Sequence, residues 1–394
     1  MNKRLIELYK QTFHEAPSKY FMSPCRINLI GEHTDYNEGL ALPAAISKYI
    51  HAVVGKRHDK QIYLKSLNKD GTIICDLDNI SNKEENLWGN YPLGIFATLQ
   101  KRGYKLPFGL NIIYSSNVPI ASGLSSSASM LNLTAFIAST MYNIPLKNEE
   151  IALLAHQSET EFNGLQCGIM DEFAIALGKK DKCILLDCAT NNFSYEEVSF
   201  KNLSLVVIVS NLRRSLIASP YNQRVRECQE GLRLLKPHFN ISSLSELKVE
   251  DLPKCEELIK DEVVFKRVRH VVKENQRVRD FVKASKEGNV EQMCKLLNES
   301  HISLREDYEV TGEYLDYIHD ISLKYGALAE RMTGAGFGGS SIALIKKEDF
   351  DSFKENVTKD YFKKFKIKPS IFLADICDGL SVKDIRKEQK VASH

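Results

Sequence analysis

The chain has 394 residues, of which 43% are apolar and 26% charged, and a formal net charge of +2. That length exceeds what one hydrophobic core ordinarily serves, so two domains are expected, and the composition is that of a soluble globular protein. Near-neutral charge without a long block of one sign implies neither nucleic acid nor an anionic membrane as partner, and basic spots such as Arg213-Arg214 and Lys363-Lys364 are read as solvated faces.

Met1-Asn2-Lys3-Arg4 leads into an amphipathic helix over 2–15 and lacks the apolar core of a signal peptide. No apolar stretch approaches the roughly 20 residues that span a bilayer. The nine cysteines are scattered, odd in number and without a Cys-x-x-Cys pair, which reads as small buried hydrophobes in a reducing compartment. A cytoplasmic monomer is expected.

Strand-like runs follow at 26–30, 38–46, 50–56, 61–65 and 72–77, then a helix from Tyr91 to Lys101 and a strand from Phe108 to Tyr114. A glycine-serine loop at 121–127 opens a helix over Ala128 to Met141, and a further helix covers 149–162. A loop at 163–168 leads into another helical run. Leu203 to Val209 is a continuous, largely β-branched run and reads as a buried strand. Residues 221–307 are largely helical and highly charged, punctuated by Pro237 and Pro253. Strands at 340–346 and 370–375 flank a helix near 348–364. Strands and helices mixed without regular alternation predict an α+β fold rather than a doubly wound sheet.

Four segments carry chemistry. Arg26-Ile27-Asn28-Leu29-Ile30-Gly31-Glu32-His33-Thr34-Asp35-Tyr36-Asn37 runs from a short apolar strand into a glycine turn dense in hydrogen-bonding groups, as a pocket for a polyhydroxylated molecule requires. Pro119-Ile120-Ala121-Ser122-Gly123-Leu124-Ser125-Ser126-Ser127-Ala128-Ser129 lies between a strand and a helix. It reads either as a phosphate cradle at a helix start or as an ordinary serine N-cap. It is not a Walker A loop, and no protein-kinase signature is present. Met332-Thr333-Gly334-Ala335-Gly336-Phe337-Gly338-Gly339 holds four glycines in six positions ahead of a strand, so its backbone can pass close to other groups. In Cys167-Gly168-Ile169-Met170-Asp171-Glu172-Phe173, Gly168 permits close approach and Asp171 is either a helix cap or a reactive carboxylate. Glu159, on the preceding helix, is surface decoration or a metal-facing carboxylate.

Together these segments resemble the galactokinases of the GHMP small-molecule kinase superfamily, over roughly residues 20–380. The stretch His301-Ile302-Ser303-Leu304-Arg305-Glu306-Asp307-Tyr308-Glu309-Val310 matches the family too. The resemblance implies a two-domain α+β GHMP kinase fold with its active site in the cleft between an N-terminal domain (1–200) and a C-terminal one (201–394). That boundary is approximate, and the last strand is free to return to the N-terminal domain. It implies transfer of the γ-phosphoryl of MgATP to the anomeric hydroxyl of galactose, giving α-galactose-1-phosphate for galactose catabolism. By the same resemblance Asp171 accepts the proton and Arg26 sits beside it. Glu32, His33, Asp35, Gly168 and Tyr221 bind the sugar, Gly123, Leu124, Ser125, Ser126 and Ser127 surround the phosphates, Trp88 packs on the adenine, and Ser127 and Glu159 ligate magnesium.

The chain departs from the family pattern at several positions. Cys25 stands in place of a glycine, Ala44 of a methionine, Glu172 of a glutamine, Ala121-Ser122 of a glycine pair, and Arg214 and Pro220 of a histidine and a glutamate. Glu172 and Arg214 keep open a sugar-1-kinase for N-acetylgalactosamine or galacturonate. A catalytically silent regulator that binds sugar and ATP is the other alternative, opposed by the intact Ser125-Ser126-Ser127-Ala128 and Asp171.

Overall fold

The computed structural model describes residues 1–119, 122–212 and 218–385. An amphipathic helix, α1 (Lys3–Phe13), starts the chain, with the Asn2 side chain accepting from the Leu5 N–H as its cap. Strand β1 (Lys19–Asn28) follows, then β2 (Leu40–Ala41), β3 (Pro43–Lys56), β4 (Gln61–Ser66) and β5 (Thr72–Asp76). Helix α2 (Asn90–Lys101), strand β6 (Leu110–Ser116), helices α3 (Ser126–Met141), α4 (Asn148–Gln157) and α5 (Met170–Ala176), and strands β7 (Cys183–Asp187) and β8 (Asn192–Glu196) complete the N-terminal half. The C-terminal half begins with β9 (Leu203–Val209), α6 (Ala218–Phe239), α7 (Leu252–Leu258), α8 (Glu262–Lys286) and α9 (Val290–Glu306). It ends with α10 (Gly312–Lys324), β10 (Ala329–Thr333), β11 (Ser340–Lys346), α11 (Phe350–Phe365), β12 (Ser370–Leu373) and β13 (Ser381–Asp384).

Six strands form the N-terminal sheet in the order β13-β1-β3-β6-β4-β5, antiparallel except for the parallel pair β4–β6. Helices α2, α3 and α4 cover one face through Phe96, Leu131, Leu154 and their neighbours, and α1 seats Leu5 and Tyr9 on the other. An antiparallel sheet, β10-β11-β9-β12, organises the C-terminal half. The two-residue period of β9 divides its side chains cleanly. Val206 and Ile208 enter the core shared with the C-terminal helices. Leu205, Val207 and Val209 enter a second core with Cys25, Ile27 and Leu29 of the N-terminal half. That shared core fixes the halves against each other, and the candidate site lies along it.

Several elements differ from the sequence reading. Residues 43–56 form one strand where two are expected. The polar stretch Ser47-Lys48-Tyr49 is merely half-exposed and does not turn. The run at 26–30 is the end of a strand that starts at Lys19. Pro237 lies inside the last turn of α6 and does not punctuate it. Helix α4 stops at Gln157, and Glu159 sits in a π-helical turn, Ser158–Phe162, of the kind that often marks functional positions. Among the described residues, no helix is long and apolar enough to cross a membrane.

Candidate active site

Strand alternation at the end of β1 sends Cys25 and Ile27 into the shared core and leaves Arg26 facing the other way. Arg26 is only 3% exposed. Its Nε donates to Asp171 Oδ1 at 2.7 Å and its Nη2 to Asp171 Oδ2 at 3.1 Å, a two-pronged ion pair. Its Nη1 donates to the Gly123 carbonyl at 3.0 Å, which ties the pair to the serine loop. Asp171 occupies the first turn of α5, but the cap position belongs to Ile169, so its carboxylate does not serve as the cap.

Ser125 decides between the two readings of its loop. It is the residue before α3, yet its side chain makes no capping bond. Its hydroxyl donates to Asp171 Oδ2. The backbone there is left-handed, φ 61° and ψ 47°, a conformation that non-glycine residues rarely adopt and that clusters at functional sites. The loop therefore aims a serine at Asp171 instead of merely starting a helix.

A small cavity of about 100 Å³ gathers Glu32, His33, Asp35, Gly168, Asp171 and Tyr221. Glu32 is 1% exposed, and its oxygens accept from Asn28 Nδ2 at 3.1 Å and from Arg331 Nη2. Arg331 is itself fully buried and also donates from Nη1 to the carbonyls of Asn28 and Leu29, each at 2.7 Å. Burial, with Asp171 nearby, pushes Asp35 up to about 6. Burial pulls His33 down to about 3, so the ring is neutral. Both its nitrogens have protein partners, Nδ1 with Tyr36 Oη at 2.7 Å and Nε2 with the Ala335 carbonyl at 3.0 Å. His33 thus braces the glycine-rich loop 334–339 against the signature turn. Tyr221 packs at 5.7 Å from the His33 ring and 5.5 Å from that of Tyr36.

A second cavity of about 400 Å³, within the size range of small-molecule sites, is lined by Trp88, Tyr91, Asn68, Lys69, Ser127 and Met130 among others. Trp88 presents an edge-on ring to Tyr114 at 5.9 Å. Of the remaining residues singled out in the sequence, Ser126 lines this larger cavity and Glu159 the smaller one. Leu124 is a core side chain, and its carbonyl accepts from the Arg26 N–H at 3.3 Å. Asn68, Lys69 and Arg331 are absent from the sequence reading, and Asn28 has no role of its own in it. Asn28 stands inside the signature run and Arg331 immediately before the glycine-rich motif, but neither position alone reveals that the two meet at Glu32.

The departures resolve in part. Cys25 is fully buried, its thiol pushed up to about 12 by burial, and Ala44 is core. Glu172 is fully buried and does not line the small cavity. Pro220 lies in the first turn of α6. Ile120, Ala121, Arg213 and Arg214 lie outside the described residues.

Ser127 and Glu159 offer a hydroxyl and a carboxylate, oxygen donors of the kind magnesium takes, from the larger and the smaller cavity respectively. Burial and the neighbouring Glu172 push Glu159 up to about 10, a penalty that a nearby cation would offset.

Family models match along the chain: the galactokinase galactose-binding signature over residues 7–56, the GHMP kinases N terminal domain over 90–179 and the GHMP kinases C terminal over 281–364. A galactokinase of Clostridium acetobutylicum is 39% identical, covering 95% of this chain and 97% of that protein. One of Fusobacterium nucleatum is 40% identical, covering 96% and 99%. The crystal structure of Lactococcus lactis galactokinase complexed with galactose superposes with a TM-score of 0.93 at 38% identity, covering 96% of this chain and 99% of that one. The mevalonate kinase of Methanococcus jannaschii, 24% identical with a TM-score of 0.63 over 91% and 98% of the two chains, shares the fold. The chain belongs to the galactokinase family of the GHMP kinases.

Proposed function

We propose that this chain transfers the γ-phosphoryl group of MgATP to the anomeric hydroxyl of galactose, giving α-galactose-1-phosphate, as a cytoplasmic monomer. One arrangement carries the reading: Asp171 is gripped by Arg26 and Ser125, and Ser125 adjoins Ser126 and Ser127 of the other cavity. The sugar occupies the small cavity and the nucleotide the larger one, with Trp88 and Tyr91 against its base.

In this reading Asp171 accepts the proton of the anomeric hydroxyl. Arg26 holds that carboxylate in place through two hydrogen bonds and offsets charge on the transferring phosphoryl, where most catalysis of such a reaction lies. Glu32 and Asp35 accept from sugar hydroxyls, His33, Gly168 and Tyr221 shape the wall, and residues 123–127 surround the phosphates. Ser127 and Glu159 would hold the magnesium ion, which would supply neutralisation of phosphate charge.

Unmodified galactose suits the small cavity better than galacturonate does. The only arginine or lysine lining it among the described residues is Arg26, already paired with Asp171, so a galacturonate carboxylate finds no free cation among them; Arg214 lies outside the described residues. ADP release measured with galactose, N-acetylgalactosamine and galacturonate tests the reading. The highest kcat/KM is expected for galactose. A higher value for N-acetylgalactosamine overturns the substrate, and silence with all three favours the regulator.

A further inference from the structure

Behind Asp171, four donor side chains of mixed chemistry converge: His156 from α4, Glu159 from the π-helical turn, Cys167 from the loop and Glu172 from α5. One ligand atom from each lies within 4.8 Å of all the others. Cys167 Sγ stands 3.2 Å from Glu159 Oε2 and 4.0 Å from His156 Nδ1, and His156 Nδ1 stands 3.7 Å from Glu172 Oε1. Ligands of a tetrahedral zinc ion, at about 2.0–2.3 Å from the metal, are separated from one another by about 3.3–3.8 Å. These three separations are within a few tenths of an ångström of that geometry, and the other three, at no more than 4.8 Å, close to it with small side-chain shifts.

Glu172 supplies the independent observation. Its side chain is 1% exposed, and its carboxylate oxygens face the Glu159 carboxyl with no amide, hydroxyl or cationic donor to them among the other described residues. Two buried carboxyls facing each other are costly unless a shared proton or a cation satisfies them. By contrast, the other buried cluster, His301–His319–Glu330, has its main donors spoken for. His301 Nδ1 accepts from the Met332 N–H at 3.2 Å, and His319 Nδ1 pairs with Glu330 at 2.7 Å.

We propose that His156, Glu159, Cys167 and Glu172 form a binding site for a borderline-soft divalent transition-metal ion, zinc above all, which selects thiolate and imidazole as magnesium does not. Metal entry displaces to solvent the Cys167 thiol proton and the proton shared by the Glu159 and Glu172 carboxyls. Glu159 and Cys167 line the small cavity, which provides the path in. Zinc bound there occupies Glu159, the carboxylate assigned to magnesium in the proposed reaction, and so inhibits. The inhibitory part rests on that reading, whereas the site itself does not.

Cobalt(II), a spectroscopic stand-in for zinc, is titrated into the reduced full-length protein without sugar or nucleotide. The expected result is one equivalent bound with the intense visible bands of tetrahedral cobalt and a thiolate-to-cobalt charge-transfer band. The charge-transfer band disappears in Cys167→Ser, and zinc affinity falls by roughly tenfold or more in Glu172→Gln. Because Cys167→Ser could fold poorly, zinc-dependent thermal stabilisation is measured in parallel on wild type and Glu172→Gln, where it shrinks in the variant. Absence of the charge-transfer band in wild type, its persistence in folded Cys167→Ser, or equal zinc stabilisation in Glu172→Gln overturns the site. If these binding results hold but zinc leaves kinase turnover unchanged, the site stands and the role given to Glu159 falls.

Discussion

Asp35 and Gly168 meet so closely that a Cβ built on Gly168 would lie 2.0 Å from Asp35 Oδ2. Real side chains do not approach that near, so the carboxylate or the loop must move if the glycine is replaced. Gly168→Ala is expected to fold and to raise KM for galactose by roughly tenfold or more, since misplacing a binding group by about 1 Å can cost 100-fold. Steady-state kinetics check this, and an unchanged KM would remove Asp35 from the sugar site.

Arg331 and Glu32 form a fully buried ion pair, with side chains 0% and 1% exposed. Arg331→Met leaves the buried Glu32 carboxylate with Asn28 as its one hydrogen-bonding side chain among the described residues, and removing one partner of such a pair costs about 3–5 kcal/mol. Urea unfolding should show that loss, with a raised galactose KM in whatever remains folded. A loss below about 1 kcal/mol with unchanged KM would mean that Arg331 does not position Glu32.

Asp35 also sets an acidic limit. Burial first and Asp171 second raise its carboxyl to about 6, so it is ionised above that pH and protonated below it. As hydroxyl acceptor it must be ionised, so kcat/KM for galactose should fall as pH drops through about 6, by up to roughly tenfold per pH unit. The same profile on Asp35→Asn should lack this limb. A wild-type profile flat to pH about 5 would contradict the assignment.

The signature turn, the serine loop, Asp171 and the glycine-rich motif were all legible as segments, because each packs unusual residue types into a short span. Geometry was harder to read. Whether the serine loop caps a helix or serves chemistry turned on the direction of one hydroxyl, that of Ser125, which residue type alone does not specify. Arg331 looks like any strand arginine until the fold brings it across 299 positions of sequence to Glu32. Residues 43–56 read as two strands because a half-exposed polar stretch resembles a turn in a single sequence. Glu172, next to Asp171 in sequence, reads as a departure bearing on substrate choice, whereas α5 turns it into the interior beside His156.

Ser125 combines a strained backbone with a bond to Asp171. Ser125→Gly relieves the left-handed conformation but deletes the hydroxyl, so stability should hold or rise slightly while kcat falls by roughly tenfold or more. Thermal unfolding and turnover measured on the same preparation separate the two effects. Full activity in the variant would reduce the serine to a loop residue.

The most direct test of the central claim is Asp171→Asn, assayed for both turnover and galactose binding. Loss of a general base ordinarily costs about 100- to 10,000-fold. The expected result is a kcat lowered by at least about 100-fold, with galactose affinity, measured by calorimetry, changed by less than about tenfold. Turnover close to wild type would contradict the assignment of Asp171 as proton acceptor and, with it, the reading of the Arg26–Asp171–Ser125 cluster as the centre of phosphoryl transfer.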